Sequence, residues 1–315
     1  MDQRLAQVPP YVRQRALRLG LAGERWLAEL PDVIERLERA WSMTVGQTLS
    51  GGTGSYVARA QTAEGGDAVL KIAIPEVGFA DELRVLASAQ GQGYVRLLND
   101  DRDSEAMLLE ALGAPLAALD LPAERQLTIL CQMLRRAWQA PCPADLVMSP
   151  GDEKAGQLAR MVSRTWEELS HPCPERVVRQ ALRYAERRAA AFDLERCVMV
   201  HGDPHPWNAL QTLAPRKGAE VGFVFVDPVG FLAEPAYDLG VALRDWRPQL
   251  LAAGAAEAAA LAHRYCALLS SESGIDEAAI WEWGFLERVS SGLYCLDLGI
   301  EEMGWPLLQT AEMLL

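Results

Sequence analysis

The most informative residues of this chain read VHGDPHPWN from 200 to 208 and VDP from 226 to 228. They place Asp203 and Asn208 five positions apart, and they put Asp227 at the end of an apolar run, 221–226. A phosphoryl-transfer site needs one carboxylate that orients a hydroxyl group, and further oxygen ligands that hold magnesium against the phosphates. Each piece alone also fits an ordinary turn or strand exit. The two pieces in this order favour phosphoryl transfer.

A second signal is a lysine inside an apolar segment. The chain contains three lysines, and Lys71 is the one that lies within a predicted strand, 68–72. A buried amine is costly unless it is paired, and an ammonium group that bridges nucleotide phosphates explains this position. Glu82, on the predicted helix that follows, is the expected partner, with Glu76 as the alternative. The competing interpretation is an edge-strand lysine whose amine reaches water.

Glycines precede that lysine. Gly51, Gly52 and Gly54 lie at the tip of a predicted hairpin, where missing side chains let backbone amides approach phosphates. Ser55 adds a hydroxyl donor. Val57 fills the position of the third glycine of protein-kinase loops, so an ordinary glycine hairpin stays open as the alternative. The sequence contains no Walker A motif, which argues against a P-loop enzyme.

The chain resembles the aminoglycoside phosphotransferase branch of the kinase-like enzymes, and within it the streptomycin 6-phosphotransferase and hydroxyurea phosphotransferase family. The catalytic block that carries this resemblance reads HGDPHPWN (201–208), VDPVG (226–230) and EPAYDL (234–239). The segments that extend it over most of the chain are GERWL (23–27), LP (30–31) and GGTGSYV (51–57). The resemblance implies an α+β, bilobal protein-kinase-like fold. An N-terminal antiparallel β-sheet lobe with preceding helices would face a mainly helical C-terminal lobe.

The resemblance also implies cofactors and site residues. ATP and Mg2+ are the expected cofactors, with Asp203 as the catalytic residue and Asn208 and Asp227 as the metal ligands. The residues expected at the nucleotide are Gly52, Gly54, Ser55, Lys71, Glu82, Glu110 and Leu112. Glu110 and Leu112 fall where the chain crosses between the lobes, so their backbone is expected to bind the adenine edge.

Three further polar residues belong to this block. Asp238 is expected to begin a helix and to cap the catalytic loop by hydrogen bonds, which is a structural role. His201 and His205 admit two interpretations, as a general base or as groups that order backbone carbonyls. The second is favoured, because a histidine in such a loop more often has an ordering role.

Local patterns agree with two lobes. Short apolar runs at 56–58 and 68–72 flank the turn 64–67 and predict a hairpin. The other predicted elements are helices within 11–41 that break at Pro31-Asp32, a helix at 81–89, and strands at 94–98 and 107–109. Helical patterns dominate after residue 115. The predicted division is a nucleotide-binding lobe at 1–112 and a helical lobe with the catalytic loop and acceptor site at 113–315.

Charge limits the class of partner. The 315-residue chain has a net charge of -13, which argues against nucleic acid, because binding a phosphate backbone needs a basic face. Residues 197–315 hold sixteen acidic against six basic side chains, a net of -10. Such a surface attracts a cationic small molecule, although acidic surfaces also simply keep proteins soluble. No run is apolar enough for a membrane span or a leader, so a cytoplasmic location is expected.

Carboxylates near the C-terminus are candidates for binding a cationic acceptor. Asp297 and Glu301 are four positions apart and are predicted to share a helix face, with Glu302 beside them. A solvated helix face is an equal alternative. The other candidates are Glu167, Trp207 and Asp245.

Three hypotheses about function remain open at this point. The leading one is an ATP-dependent O-phosphotransferase for a streptomycin-type aminoglycoside, and hence an antibiotic resistance kinase. The second is a kinase for hydroxyurea or another small hydroxyl metabolite. The third is a catalytically silent nucleotide-binding protein. The sequence leaves the oligomeric state open.

Overall fold

The structure is a computed structural model that describes residues 8–49, 54–75, 78–143, 146 and 153–315. Gly51, Gly52 and Glu76, which the sequence singled out, lie outside these residues. Among the helices that the structure describes, none has the length and apolar character needed to cross a membrane.

The first part of the chain, called the sheet part below, is built around a five-stranded antiparallel sheet. Its elements are α1 (Pro10–Arg18), α2 (Leu21–Trp41), β1 (Met43–Thr48), β2 (Ser55–Thr62), β3 (Asp67–Ala73), α3 (Phe79–Ala89), β4 (Leu97–Asp101) and β5 (Ala106–Glu110). The strand order is β1-β2-β3-β5-β4. Lys71 pairs with Val57 of β2 on one side and with Met107 of β5 on the other. Its strand is therefore central, and the edge-strand interpretation is wrong.

The predicted hairpin and the helix after it are confirmed, but two boundaries were wrong. The break between the first two helices lies at Leu19-Gly20, where Gly20 has φ 60°, and Pro31 sits inside α2. A proline inside a helix removes one backbone hydrogen bond. Here a buried apolar stripe (Leu27, Leu30, Ile34 and Leu37) packs α2 against the sheet and keeps the helix continuous.

The predicted strand at 94–98 begins later than expected. The strand β4 starts at Leu97, whereas Tyr94 forms a single parallel bridge to Phe225, in the second part of the chain. Tyr94 is fully buried at this contact. The residues before β4 therefore join the sheet part to the rest of the molecule instead of extending the sheet.

The second part, called the helical part below, follows Ala111. Its elements are β6 (Leu112–Pro115), α4 (Ala123–Ala137), α5 (Lys154–Glu168), α6 (Glu175–Ala190), β7 (Val198–Val200), β8 (Ala209–Thr212), β9 (Phe223–Phe225), β10 (Phe231–Ala233), α7 (Ala236–Arg244), α8 (Arg247–Ala253), α9 (Ala255–Ser273), α10 (Glu277–Asp297) and α11 (Glu301–Met313). The strand β8 pairs with β6 and β9, and β7 pairs with β10. Asp203 and Asn208 lie between β7 and β8, and Asp227 follows β9. The domain boundary at 112 stays a prediction.

The helices α7 and α10 cross in the middle of the helical part. All residues of α7 from Ala236 to Leu243 are buried. At the crossing, a Cβ on Gly240 would lie 2.7 Å from the backbone nitrogen of Gly284, which is closer than real Cβ contacts, so only glycine permits this approach. One turn further on, Arg244 of α7 meets Glu287 and Ser291 of α10.

Candidate active site

The loop between β7 and β8 is anchored on the first turn of α7. The Asp238 carboxylate accepts hydrogen bonds of 2.9 Å from the backbone N–H groups of His201 and Gly202, and one of 2.9 Å from Trp138 Nε1. Burial raises the pKa of Asp238 to about 6, although these three donors favour the ionised form. The prediction that Asp238 caps the catalytic loop is confirmed.

His201 orders the loop from inside the core. Its Nε2 lies 3.0 Å from the carbonyl oxygen of Val226, and its Nδ1 accepts a 3.1 Å hydrogen bond from the Asp203 N–H. These partners require a neutral ring with the proton on Nε2. Burial lowers the pKa of His201 to about 4, which agrees with a neutral ring. The ordering interpretation of His201 therefore fits the structure better than a role as general base.

The Asp203 carboxylate is held on both oxygens. Arg244 Nη2 donates to Oδ1 at 2.7 Å, and His205 Nε2 lies 3.3 Å from Oδ2. The side chain is 38% exposed, so it is open to a substrate. Desolvation alone would raise the pKa of Asp203, but the charge of Arg244 and the hydrogen bond to His205 hold it well below the usual value. The same carboxylate raises the pKa of His205 against the effect of burial.

Lys71 joins the sheet part to the strand end that carries Asp227. Its Nζ lies 2.6 Å from both carboxylate oxygens of Glu82, on α3, and 2.7 Å from Asp227 Oδ1. The predicted Lys71–Glu82 pair is therefore confirmed, and Asp227 is an additional partner. Desolvation would lower the pKa of Lys71, but the two carboxylates raise it above its usual value. The ammonium group remains charged.

The two carboxylates of this group respond in opposite directions. Desolvation raises the pKa of Glu82, and Lys71 offsets this only in part. Desolvation also disfavours ionised Asp227, but Lys71 more than compensates, so the pKa of Asp227 is lowered. Of the two carboxylates, Asp227 thus has the stronger tendency to be ionised. Its backbone has φ 56°, a left-handed conformation that is uncommon outside glycine and is enriched at functional sites.

Asn208 lies next to Asp227 across the β8–β9 pair. The Val226 N–H donates to the Asn208 carbonyl oxygen at 2.9 Å, and Asn208 Nδ2 donates to the Asp203 carbonyl oxygen at 3.1 Å. The amide oxygen of the Asn208 side chain takes no part in that bond. The Asp227 side chain is 49% exposed although Lys71 holds one of its oxygens. The pair offers one amide oxygen and one carboxylate oxygen, which are the donor types that Mg2+ prefers.

The remaining nucleotide-side predictions fall at the edge of the sheet part. Gly54 accepts a 3.0 Å hydrogen bond from the Ile74 N–H, and Ser55 begins β2 with a buried side chain. The Glu110 carboxylate binds Arg216, with 3.1 Å between Oε2 and Nε, and also accepts the Arg96 N–H. The Glu110 side chain is thus engaged within the protein, and its backbone N–H is engaged as well, because it donates to the Arg96 carbonyl oxygen at 3.0 Å. Leu112 begins β6, opposite Thr212 of β8.

The prediction that Asp297 and Glu301 share a helix face was wrong. Asp297 is the last residue of α10, and Glu301 is the first residue of α11. Gly299, with φ 73°, ends α10, and the Ile300 N–H closes the turn on the carbonyl oxygen of Cys295 at 2.8 Å. A glycine in this conformation after a helix is a common stop signal. Asp297, Glu301 and Glu302 are all exposed.

Sequence reasoning missed two arginines. Arg244 binds Asp203, and Arg216 ties Glu110 to the carbonyl oxygens of Gly91 and Tyr94, at 2.6 and 2.8 Å. A signal for Arg244 existed, since it stands at the end of an apolar helix in a segment with few basic residues. Arg216 lies in a polar hairpin, where nothing in the sequence distinguishes it from a solvated arginine.

The overall fold is kinase-like. The structure is similar to that of a choline kinase from Streptococcus pneumoniae, with a TM-score of 0.59 at 13% identity over 91% of this chain and 99% of that chain. It is also similar to a spectinomycin phosphotransferase in complex with ADP and spectinomycin, with a TM-score of 0.55 at 12% identity over 90% of this chain and 93% of that chain. At these identities the likeness shows the fold, which confirms the predicted kinase-like architecture.

Sequence comparison gives the family. Residues 40–299 match the family model described as aminoglycoside/hydroxyurea antibiotic resistance kinase, and the chain belongs to this family. It is 28% identical to a streptomycin 6-kinase from Streptomyces glaucescens over 94% of this chain and 93% of that protein. It is 29% identical to a hydroxyurea phosphotransferase from Kitasatospora aureofaciens over 76% of this chain and 68% of that protein. The chain is therefore a nucleotide-using phosphotransferase whose acceptor is a hydroxyl group on a small molecule.

Proposed function

We propose that this chain transfers the γ-phosphate of ATP to a hydroxyl group of a cationic, streptomycin-type aminoglycoside. The observation that carries the proposal is that two ion-paired groups lie side by side, joined through His201. In one group, Lys71 and Glu82 of the sheet part pair with Asp227 of the helical part, and in the other Arg244 pairs with Asp203. Two relatives named streptomycin 6-kinase, which match over 94% of this chain, support the choice of acceptor.

Each side chain has a role in this proposal. Lys71, kept charged by Glu82, binds the nucleotide phosphates, while the backbone of Gly52, Gly54 and Ser55 covers them. The backbone of Glu110 and Leu112 binds the adenine edge. Asp203 accepts the proton of the acceptor hydroxyl while the acceptor oxygen bonds to the γ-phosphorus. The bond from that phosphorus to its bridging oxygen breaks, and ADP leaves.

Asn208 and Asp227 would hold Mg2+. One carboxylate and one amide oxygen suit this ion, because Mg2+ usually takes few protein ligands and completes its shell with phosphates and water. The exposed half of Asp227 and the side-chain oxygen of Asn208 are the groups that fit. When bound, the ion neutralises charge that develops on the transferring phosphate.

The charge around Asp203 is largely balanced locally. Arg244 faces three carboxylates, those of Asp203, Asp245 and Glu287, at 2.7, 3.3 and 3.6 Å. Arg288 interacts electrostatically with Asp245, and His205 lies 3.3 Å from Asp203, so both add positive charge to this group. The wider surface still favours a cationic acceptor, because residues 197–315 carry a net charge of -10 and an acidic surface attracts cations. Hydroxyurea, a small uncharged molecule, would gain nothing from it.

The C-terminal half of α10 offers a surface for the acceptor. Ser291 contacts Arg244 at 3.1 Å, and Tyr294, at the next position on this face, is 53% exposed. Helical side chains lean toward the N-terminus, so the Tyr294 ring covers the surface beside Ser291 and offers a face for a cationic group. Asp297 points about 120° away from Ser291 around an ideal helix. Asp297, Glu301 and Glu302 form the second, outer candidate for the acceptor site.

The second candidate function is phosphorylation of hydroxyurea or another small hydroxyl compound. The 29% identity to a hydroxyurea phosphotransferase is the observation that favours it. The same catalytic residues serve both acceptors. A catalytically silent role is disfavoured, because Lys71, Asp203, Asn208 and Asp227 are all present.

The experiment is magnesium-dependent ATP turnover with streptomycin, spectinomycin and hydroxyurea offered separately. Streptomycin is expected to stimulate ADP release and to become phosphorylated. Asp203→Ala should lower kcat for transfer by about 10²- to 10⁴-fold, and it should leave the Kd for ATP within about twofold of wild type. Tyr294→Ala should raise the KM for streptomycin and leave that for ATP unchanged. Charge reversal at Asp297 and Glu301 tests the outer candidate in the same assay.

The outcomes separate the hypotheses. Stimulation by hydroxyurea alone would replace the first acceptor with the second. ATP binding without turnover on any acceptor would favour a silent protein. Wild-type turnover in Asp203→Ala would overturn the role given to that residue. An unchanged KM for streptomycin in Tyr294→Ala would remove α10 from the acceptor site.

A further inference from the structure

Arg244 is the group in the helical part that touches the proposed catalytic carboxylate most closely. Its Nη2 lies 2.7 Å from Asp203 Oδ1, and its side chain is only 14% exposed. Behind it, Nη1 donates to Ser291 Oγ at 3.1 Å, and Nε donates to Asp245 Oδ1 at 3.3 Å. Every nitrogen of the guanidinium therefore has a partner. A planar group bound in this way has little freedom to rotate.

The partners of Arg244 are themselves fixed. Glu287, whose Oε2 lies 3.6 Å from Arg244 Nη1, accepts a 2.6 Å hydrogen bond from the buried Tyr237 hydroxyl on its other oxygen. Tyr237 belongs to α7, as Arg244 does, and Glu287 belongs to α10. The chain of contacts thus runs from the α7–α10 crossing to the Asp203 carboxylate without an exposed member before Asp203.

The first turn and the last residue of α7 each hold part of the catalytic loop. Asp238, in the first turn of α7, binds the backbone N–H groups of His201 and Gly202. Arg244, six residues later and about 9 Å along the axis, binds the side chain of Asp203. The loop backbone and the Asp203 carboxylate are therefore both held by the same helix, α7. Precise placement of this kind is what phosphoryl transfer requires, since the protein contributes chiefly by positioning.

The two oxygens of Asp203 have unequal partners. Oδ1 binds Arg244 at 2.7 Å, whereas the one contact of Oδ2 among the described residues is the longer one of 3.3 Å to His205. Rotation of the carboxyl group would break the shorter and stronger of the two contacts. The oxygen that remains for a hydroxyl proton is thus Oδ2.

We infer that Arg244 is a positioning residue for the transfer reaction: it holds Asp203 by Oδ1 and presents Oδ2 to the acceptor hydroxyl. This inference rests on the proposed function, because it assigns Arg244 a role through Asp203. In this inference Arg244 has no contact of its own with either substrate, because its nitrogens already have partners within the protein. Its removal should therefore lower kcat and leave the KM for ATP unchanged.

A second buried arginine provides a matched control. Arg288, on α10, is 1% exposed and donates to Thr310 Oγ1 and to the carbonyl oxygen of Leu243, at 2.9 and 3.0 Å. Neither partner belongs to the catalytic loop. Arg288→Ala removes a guanidinium of similar burial from the same packed region. It measures what the loss of a buried arginine does to the fold and to the end of α7, with the Arg244–Asp203 contact itself still present.

The experiment combines two double-mutant cycles with chemical rescue. Arg244→Ala, Arg244→Lys, Asp203→Asn, the Arg244→Ala/Asp203→Asn double variant and Arg288→Ala are compared with the full-length wild type. The kinetic cycle uses whichever acceptor the wild type phosphorylates. The second cycle uses thermal unfolding, which reports the Arg244–Asp203 contact without any turnover. Guanidinium chloride at millimolar concentration is then added to the two alanine variants and to the double variant.

Arg244→Ala is expected to lose about 10²-fold in kcat, with the KM for ATP within twofold of wild type, and Arg244→Lys should recover part of the loss. Guanidinium should raise kcat of Arg244→Ala, but not of the double variant or of Arg288→Ala. In the Asp203→Asn background the Arg244→Ala change should cause little further loss. Equal losses in Arg244→Ala and Arg288→Ala, or the absence of guanidinium rescue, would overturn the inference. A wild type that phosphorylates no acceptor would instead overturn the proposed function, and the unfolding cycle would still show whether the contact exists.

Discussion

The two aspartates of the candidate active site are each held by one cation, but the cations come from different parts of the molecule. Asp203 binds Arg244, and both belong to the helical part. Asp227 binds Lys71, which stands on the central strand β3 of the sheet part. The first contact lies within one packed unit. The Lys71–Asp227 contact joins the two parts, so it depends on how the sheet part and the helical part meet.

A second carboxylate stands behind each cation. Glu82 of α3 holds Lys71, and Glu287 of α10 lies behind Arg244. The difference is in the number of partners. Lys71 has a compact ammonium group with two carboxylates, whereas Arg244 spreads its planar group over Asp203, Asp245, Glu287 and Ser291.

This difference fits two tasks. In the proposed reaction Asp227 holds a metal ion and Lys71 binds the phosphates, and a single ammonium group can be shared between that carboxylate and the phosphates. A carboxylate that orients a hydroxyl group needs a fixed position, and a guanidinium with several anchors suits that. Arg244 is the more firmly anchored of the two cations, because all three nitrogens of its guanidinium have partners.

The largest expected effect comes from removing the shared cation. Lys71→Met would leave the buried Glu82 carboxylate without its cation, opposite the half-exposed Asp227, and breaking a buried ion pair costs about 3–5 kcal/mol. We expect kcat/KM for ATP to fall by at least about 10²-fold and the unfolding temperature to drop. Steady-state kinetics and thermal unfolding measure these changes. Lys217→Met, at an exposed lysine, is the control and should change neither. An unchanged ATP response in Lys71→Met would show that the contact across the cleft is only structural.

A smaller effect should come from the carboxylates behind the cations. Glu82→Gln should lower kcat/KM for ATP by about 10-fold, because Lys71 keeps Asp227 and loses one of its two charged partners. Glu287→Gln should lower kcat by less than about fivefold, since Arg244 keeps Asp203, Asp245 and Ser291. Kinetics of both variants with the same acceptor test this order. If Glu287→Gln had the larger effect, the other partners of Arg244 would not be enough to hold it. The contrast between the Arg244 and Lys71 contacts would then be wrong.

The Lys71–Glu82 contact was predictable from the sequence because both residues are recognisable from their local segments. Lys71 stands out as a lysine in an apolar strand, and Asp203, Asn208 and Asp227 form a spaced motif. For each of these residues, the few neighbouring positions in the sequence indicate the expected role. The partner Glu82 followed from the helix that comes next, and the structure shows the contact at 2.6 Å.

The acceptor half was not predictable for a physical reason. Arg244 reaches Asp203 only because α7 and α10 cross at Gly240 and Gly284, and such a crossing depends on contacts between residues distant in sequence. Asp297 and Glu301 looked like one helix face because their spacing ignores the stop at Gly299. Helix period alone therefore cannot show which carboxylates of an acidic segment face the reaction.

The smallest expected effect is on stability, and it comes from two buried groups that hold the Asp203 loop and titrate in opposite senses. The pKa of His201 is lowered to about 4, so its contribution to stability is present above pH 6.5 and is lost as the pH falls through 6.5 toward 4. The pKa of Asp238 is raised to about 6, so its contribution is largest below pH 3.8 and is lost as the pH rises toward 6. Each shift corresponds to at most about 3 kcal/mol.

The two contributions partly cancel in the wild type, and single variants separate them. His201→Gln and Asp238→Asn each remove one titration, and urea unfolding between pH 7.5 and 5 gives their free energies of unfolding relative to wild type. As the pH falls, the wild type should lose stability relative to His201→Gln and gain stability relative to Asp238→Asn. Two slopes of the same sign would contradict this assignment. Opposite slopes would support the assignment of one titration to His201 and the other to Asp238. Both residues belong to the helical part, whereas the Lys71 contact joins the helical part to the sheet part.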